Sequence, residues 1–557
     1  MAQVDPTAAD LSKYQKAKED RDRHVRLVVE SEAEKRLVVA GPGTGKTHLF
    51  KQILVGVKKS LTLTFVNALV DDLSLELNGL SEVRTLHSYA RSLLTTIGRQ
   101  SIRLSPVLPL VLREDARILL GKEIDFDHII HNCEHASQYM PFYRARKIYY
   151  GDYRGFADVI FEAAEYVERH PEKTPRYDLI VVDEFQDFNQ LEVWFLEMLA
   201  RKNRVLVAGD DDQALYVFKS ASPDHIRSRY TNKHHGYEPF TLPYCARCSR
   251  VIVEAANDVI ETATRLNLLK SRIPKTYLYF EDEKKDAVNV QNPQIIYSQL
   301  YFGQVAWFVS DQIARIAKEL RDKFSVLVIS PTSQFCRHLA TQLRKKGFGK
   351  IDHNDRRPKI NASLLDGLRI VKEDSHSNLG WRIVARHLLG AEDFATLLKR
   401  TENGKTPVLE LLGREMRKQT KGMVAVLRKI EKRATLDDEC IQILRKLNLD
   451  PFELVRGILT EEMDLEAPQQ VDRAIRNIPV TITTIESSKG LAADYVFITN
   501  FDDQYFVKDR NGVPTDKEIC NFLVALTRAR RRLLLVSTKK TDPTFLGWIK
   551  EHRIQRI

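Results

Sequence analysis

Leu179 to Phe218 reads LIVVDEFQDFNQLEVWFLEMLARKNRVLVAGDDDQALYVF. Two short apolar runs, LIVV and RVLVAG, are bounded by turn signals and separated by a helical run from Asn189 to Arg201. That is the pattern of neighbouring strands in a parallel sheet buried on both faces. Each run ends in acids, so both strands deliver carboxylates to one sheet edge. Asp183 and Glu184 follow the first, a pair that suits a magnesium-held carboxylate beside one that orients and deprotonates a water. Asp210, Asp211, Asp212 and Gln213 follow the second, with Tyr216 and Phe218 a few residues on. A glutamine able to sense a phosphate, beside aromatics able to stack on bases, implies hydrolysis felt at a nucleic-acid track.

Upstream, Arg36 to Ala40 (RLVVA) reads as a strand running into GPGTGKT, Gly41 to Thr47, and a helix from about Gly45 to Val57. This is a P-loop of the form A-x-x-x-x-G-K-T, with Ala40 outermost. Gly41, Gly43 and Gly45, with Pro42 and Thr44 between them, let backbone N–H groups turn toward phosphates, and the helix start adds its positive end. Lys46 is placed for the β and γ phosphates and Thr47 for magnesium. The loop specifies a nucleoside triphosphate and leaves open what its hydrolysis drives. A strand from Leu61 to Phe65, and a third delivering TLHSYA (Thr85 to Ala90), bring Phe65 and His87 to the sheet's carboxyl edge, where ligands of open α/β sheets gather. Phe65 fits either the core or a stacked base. Residues 91 to 170 read mainly as helices and hold a basic, aromatic segment, PFYRARKIYYGDYRGF from Pro141 to Phe156. It suits a single-stranded backbone with stacked bases, or equally a solvated helix face with half-buried tyrosines.

At 557 residues the chain exceeds the size at which one core stops growing, so three or four domains are expected. Lys plus Arg number 86 against 75 for Asp plus Glu, a net charge of +11 that favours a polyanionic partner. Of the six cysteines only Cys245 and Cys248 have C-x-x-C spacing; with no second pair to complete a zinc site they read as reduced thiols. The polar N-terminal stretch lacks the apolar segment of a signal peptide, and no run approaches a membrane span. A soluble, cytoplasmic protein without a membrane partner is the expectation.

Together these stretches resemble the motifs of the superfamily 1A helicases of the UvrD, Rep and PcrA type. AGPGTGKT resembles motif I, TFVNALVDDL motif Ia, TLHSYA the short motif after it, VVDEFQD motif II and GDDDQALYVF motif III. Downstream, TLPYCARCSRVIVEAAN (Thr241 to Asn257) resembles motif IV, ITTIESSKGL (Ile482 to Leu491) motif V and VALTRAR (Val524 to Arg530) motif VI. The matches run from about residue 36 to 538 in the family's order. The resemblance implies an α/β fold of two RecA-like P-loop domains with parallel sheets, each carrying a mainly helical insertion. The implied division is 1–90 with 171–270 for domain 1A, 91–170 for insertion 1B, 271–357 with 472–557 for domain 2A, and 358–471 for a smaller 2B-like insertion. ATP and Mg2+ are the implied cofactors, with Lys46 and Thr47 on phosphate and magnesium, Asp183 completing the magnesium site, Glu184 as catalytic base and Gln213 reading the γ-phosphate. Arg247 and Arg528 match the two arginines that reach the nucleotide from motifs IV and VI. Phe65, Asn67, His87, Tyr216 and Phe218 match DNA-contacting positions, Phe218 standing where the family has tryptophan.

The implied activity is ATP-dependent 3′ to 5′ translocation on single-stranded DNA and unwinding of duplexes, with single strands and junctions as partners. Three departures bear on it. No glutamine stands ahead of the P-loop where the family reads adenine; Gln15 lies too far upstream, and Arg23 or His24 occupies the neighbourhood. Glu486 replaces a histidine in motif V and Ala492 a glutamate after it, and Cys520 replaces an arginine near motif VI. The alternative is a nucleotide-gated DNA-binding ATPase that works with a separate nuclease, or with a repair or defence partner, without processive unwinding. A generic P-loop ATPase acting on protein or RNA fits the P-loop but leaves the motif III aromatics unexplained. Residues 250 to 266 read as the helix that closes the first domain, and Tyr279 to Asn292 as an exposed linker. Basic residues from Arg414 to Arg433 read as a duplex contact or as a solvated face.

Overall fold

The apolar runs become two sheets in which every described strand pairing is parallel. The computed structural model describes residues 8–64, 67–134, 136–215, 220–320, 323–353, 361–432, 442, 477–508 and 512–557. The first sheet comprises β1 (Lys35–Ala40), β2 (Ser60–Thr64), β3 (Glu82–Thr85), β4 (Leu179–Val182), β5 (Val205–Gly209) and β6 (Glu238–Leu242), in the order β3-β2-β4-β5-β1-β6. β4 pairs with β5 (Val182 opposite Val207) and β5 with β1 (Val207 opposite Leu37). The P-loop and both acidic runs therefore leave three adjacent strand ends. The second sheet comprises β7 (Ile295–Gln299), β8 (Val326–Ser330), β9 (Ile351–His353), β10 (Val480–Thr484), β11 (Ala493–Thr499), β12 (Ala529–Ser537) and β13 (Ile554–Arg556), in the order β9-β10-β8-β11-β12-β7-β13. No helix among the described residues is long and apolar enough to cross a membrane.

Three local expectations change. The helix Arg250–Arg265, read as closing the first domain, buries Ile252, Val259 and Ala263 in a core that includes Ile295, Leu327 and Val496 of the second sheet. The stretch read as an exposed linker buries Tyr279 and Phe280, and Asp282 then caps a helix, Glu283–Gln291. Finally, the basic, aromatic segment turns inward. It forms the helix Met140–Tyr149, with Tyr143, Arg146, Lys147, Tyr149, Tyr150 and Tyr153 buried rather than offered to a stacked base, and with Arg144 and Ile148 on its exposed side.

The cause of that inward turn is one carboxylate. Asp115 is fully buried; its Oδ2 accepts two N–H groups of Arg146 at 2.6 and 2.9 Å, together with the Tyr150 hydroxyl. Its Oδ1 accepts two from Arg382 at 2.7 and 2.9 Å. Arg382 lies on the helix Asn378–Leu388, so the group ties the first insertion to the second. Apolar side chains follow the same path: Ile383, Val384 and Leu397 share a core with Val111, Leu112 and Met140. Burial pushes the Asp115 pKa upward, but Arg382 and Arg146 outweigh it and hold the carboxyl below its ordinary value. Asp115→Ala leaves the buried Arg146 guanidinium without a carboxylate and takes one of two from Arg382, which keeps Glu114 at 2.8 Å; breaking such a buried pair costs about 3–5 kcal/mol. We expect a lower midpoint of chemical denaturation for that variant, whereas Ala at the exposed Arg144 changes stability by less than about 0.5 kcal/mol.

Candidate nucleotide site between the two sheets

β1 ends at Ala40, and Gly41–Gly45 turns the chain into the helix α2 (Lys46–Leu54). Gly43 and Gly45 have φ values of 71° and 96°, a region that side chains disfavour. At Gly43 a Cβ would also fall 2.4 Å from the Arg247 Cβ, so bulk is excluded there as well. The Thr44 hydroxyl donates to the Gly41 carbonyl at 2.9 Å, and the Tyr277 hydroxyl to the Pro42 carbonyl at 2.9 Å. Lys46 Nζ donates to Glu184 Oε1 at 2.7 Å and lies 3.5 Å from Asp183 Oδ1. Burial opposes the charge on Lys46, yet Glu184 and Asp183 keep its pKa above the ordinary lysine value. Thr47 is half-buried in the first turn of α2.

The acids at the ends of β4 and β5 are tied together by Gln186. Its Nε2 donates to Glu184 Oε2 at 2.6 Å while its Oε1 accepts the Asp210 N–H at 2.9 Å. Gly209 permits this, since a Cβ there would meet Gln186 Oε1 at 2.5 Å. Glu184 itself adopts φ 56° and ψ 40°, a left-handed conformation that costs free energy for a residue with a side chain. Lys489, in the loop after β10, enters from the second sheet and is only 1% exposed. It pairs with Asp187, donates to the Gln213 carbonyl at 2.6 Å and lies 3.5 Å from Glu184 Oε2. Burial would raise the Glu184 pKa, but Lys46 and then Lys489 hold it well below the usual carboxylate range. Burial wins at Asp183, whose pKa is raised against the pull of Lys46, and pushes Asp187 up to about 6 despite Lys489.

Asp210, Asp211 and Asp212 converge closely enough to share a cation, and the cation among them is Lys275, 2.7 Å from Asp210 and 2.9 Å from Asp212 and paired with Asp211. Arg272 donates to both oxygens of Asp212 at 2.9 Å, and Arg227 to Asp211 at 3.1 Å. Gln213 Nε2 donates to Asp210 Oδ2 at 2.7 Å, and its Oε1 accepts from Arg528 Nη2 at 3.0 Å.

The two arginines face each other across the cleft. The Ala246 N–H donates to the Gly43 carbonyl at 2.9 Å, which seats Arg247 on the P-loop; Arg247 Nη2 then reaches the Thr527 carbonyl of the second lobe at 3.0 Å. Its Nε is buried without an acceptor. Arg528, 2% exposed, donates to the Val524 and Leu491 carbonyls at 2.9 and 3.2 Å as well as to Gln213. Neither arginine has a carboxylate partner among the described residues. Burial, then the neighbouring charge of Arg247, pushes the Arg528 pKa down to about 9. Two guanidinium groups without counter-charge, Arg528 buried and Arg247 half-buried, favour an incoming anion. Cys245 and Cys248 flank Arg247 as free, buried thiols.

The structure thus brings together Gly41–Thr47, Asp183, Glu184, Gln213, Arg247 and Arg528. The residues matched to DNA contact are less fully described. Phe65, Tyr216 and Phe218 lie outside the described residues, and Asn67 opens the helix Asn67–Glu76. His87 lies in the helix Leu86–Ser92, capped by Thr85, with its ring edge-on to Phe156 at 5.6 Å. Sequence reasoning missed Gln186, Lys489, Tyr277 and Arg21. The first two stand inside the motif strings VVDEFQD and ITTIESSKGL, but only the cross-sheet geometry shows what they touch.

Closure over a nucleotide is divided between two sheets, the arrangement of a two-lobed P-loop NTPase. Residues 26–219 match the AAA domain family and residues 394–540 the UvrD-like helicase C-terminal domain. The chain is 31% identical over 163 residues to DNA helicase II of Haemophilus influenzae, covering 28% of this chain and 20% of that protein. It is 22% identical over 450 residues to the ATP-dependent DNA helicase PcrA of Staphylococcus epidermidis, covering 70% of this chain and 59% of that protein. A third relative is an ATP-dependent helicase/nuclease component of Streptococcus pneumoniae, 29% identical over 132 residues, or 22% of this chain and 11% of that protein. The chain belongs to superfamily 1A, the UvrD/PcrA-type helicases, and spans less than two thirds of the length of each of these relatives.

The pH response of Asp187 follows from its burial. Its folded-state pKa is raised from 3.8 to about 6, so its contribution to stability is fully present below the lower value and is lost as the pH rises through the upper one. Asn at this position does not titrate. The melting temperature of Asp187→Asn minus that of wild type should therefore increase between about pH 4 and about pH 7; a difference independent of pH contradicts this burial.

Proposed function

We propose that the chain is an ATP-dependent motor that walks 3′ to 5′ along single-stranded DNA and separates duplexes, with ATP held between the two sheets. The observation that carries this reading is the pair of arginines without carboxylates, half-buried Arg247 seated on the P-loop and buried Arg528 on Gln213 from the other lobe. An anion with charge to spread in the transition state is what such a pair suits, and supplying one arginine from each lobe makes turnover depend on closure. Lys46 and the N–H groups of Gly41–Gly45 take the phosphates. Glu184, held ionised by Lys46 and Lys489, is the base that orients and deprotonates the attacking water. Thr47 and Asp183 offer the hard oxygen donors that suit Mg2+, which when bound neutralises charge between the phosphates. Gln213 reads the γ-phosphate. Stacking at Phe65, Tyr216 and Phe218, with Asn67 and His87, is assigned to the DNA strand on the strength of the motif resemblance and the names of the helicase relatives.

A second reading rests on one feature. The Asp115 group fastens the two insertions together, which suits a nucleotide-gated DNA clamp serving a separate nuclease, and one relative is named as part of a helicase/nuclease.

ATP turnover titrated with single-stranded DNA, duplex DNA and RNA tests both readings. Single-stranded DNA should stimulate turnover most. Glu184→Gln should lower kcat by about 10²–10⁴-fold, and Lys46→Ala should abolish activity. Undiminished DNA-stimulated turnover in both variants ends the motor reading. A duplex with a 3′ tail should be unwound and one with a 5′ tail should not; DNA-stimulated turnover with neither unwinding nor streptavidin displacement from single strands favours the second reading.

A further inference from the structure

The helix α1 (Ala8–Glu30) begins ahead of the matched residues 26–219 and, from the part that precedes them, brings an arginine to the P-loop. Arg21 Nη2 lies 3.1 Å from the position a Cβ on Gly45 would take. Its guanidinium sits over the Phe280 ring, 4.9 Å from the centroid. Its Nε is buried and meets no acceptor. Among the described residues Arg21 forms no ion pair, although Asp20 and Asp22 stand on either side of it in the chain. Asp20 is taken up elsewhere, by Arg23 at 2.7 Å and by the Tyr244 hydroxyl. His24, hydrogen-bonded to the Asp20 carbonyl at 2.9 Å, lies edge-on to Tyr244. Those contacts pin α1 to the chain just before Arg247. The arginine is thus positioned by aromatic packing and left with free donors facing the loop.

The position along the loop identifies what those donors meet. Lys46 extends from Gly45 toward Glu184 and, in a P-loop, toward the β and γ phosphates, while the backbone cradles the α and β phosphates. Arg21 approaches the Cβ side of Gly45, the side on which the His48 Cβ, one residue beyond Thr47, also lies, 3.8 Å from the position a Gly45 Cβ would take. A guanidinium donates only and matches phosphate oxygens; it has no acceptor with which to read the amino group of adenine. We propose that Arg21, stacked on Phe280, binds the α-phosphate end of the nucleotide and replaces base reading with phosphate reading, so that affinity gains little from adenine. This inference rests on the nucleotide site proposed above and adds to it a residue that no motif assigns.

The test is steady-state hydrolysis of ATP and GTP by the full chain, with binding of a fluorescent N-methylanthraniloyl ADP measured in parallel. Arg21→Ala should raise KM for both triphosphates, and Kd for the ADP probe, by about tenfold, the scale of one lost charge-assisted hydrogen bond. kcat should stay within about twofold. Arg21→Lys should recover part of the loss, and Phe280→Leu should show a smaller rise in KM. Wild-type protein that binds no probe removes the nucleotide site itself. Wild-type binding with an unchanged Kd and KM in Arg21→Ala overturns the role of Arg21 alone. Unequal KM increases for ATP and GTP overturn the phosphate assignment in favour of base contact. Melting temperatures of both Arg21 variants near that of wild type exclude a folding defect as the cause.

Discussion

An ammonium group from one sheet is enclosed within the acidic edge of the other, and the cleft depends on it. Removing Lys489 from water costs several kcal/mol, and that cost is offset only while Asp187, Glu184 and the Gln213 carbonyl are in place. The two lobes meet at Gln213 twice. Its backbone carbonyl takes Lys489, and its side chain takes Arg528 and gives a hydrogen bond to Asp210. A change at the phosphates that moves Arg528 must move this glutamine, which stands three residues before Tyr216 in the chain.

The charges in the cleft divide into two groups. Asp183 and Glu184 balance Lys46 with help from Lys489, while Asp210, Asp211 and Asp212 balance Lys275, Arg272 and Arg227. Once these pairs are made, Arg247, Arg528 and Arg21 have no carboxylate among the described residues. The positive surplus therefore collects around the P-loop, where the helix start and turned N–H groups add to it. The depressed pKa of Arg528 has the same origin, burial beside a like charge, and a polyphosphate relieves it. Asp210–Asp212 converge closely enough to share a metal ion, yet Lys275, Arg272 and Arg227 already satisfy their charge.

Legibility in the sequence tracked how local each determinant is. The strand ends, the P-loop and the paired acids were readable because each is a string of a few residues whose spacing fixes its geometry. The sheet cores were readable from apolar runs. The helix Met140–Tyr149 was not, because the partners that pull Arg146 inward, Asp115 and Thr401, lie 31 and 255 residues away. Phe280 was hidden for a similar reason. Its neighbours EDEKKD are polar and read as a linker, but they build a capped helix while Tyr279 and Phe280 are buried. Arg21 is the clearest case: one arginine among many in a charged helix, distinguished only by the loop it reaches and the carboxylates it does not use.

The Asp115 group constrains how the two sheets can move. Because Arg146 and Arg382 hold opposite oxygens of one buried carboxylate, and because apolar side chains of both insertions share a core, separating them exposes charge and hydrophobic surface together. The insertions therefore behave as a single body beside the first sheet, even though the second of them is threaded between β9 and β10 of the second sheet. At the cleft the two sheets meet along the seam formed by Lys489, Gln213 and Arg528. The insertions are thus held to each other by a buried charge group and a shared core together, whereas the seam at the cleft runs through the main chain and side chain of one glutamine.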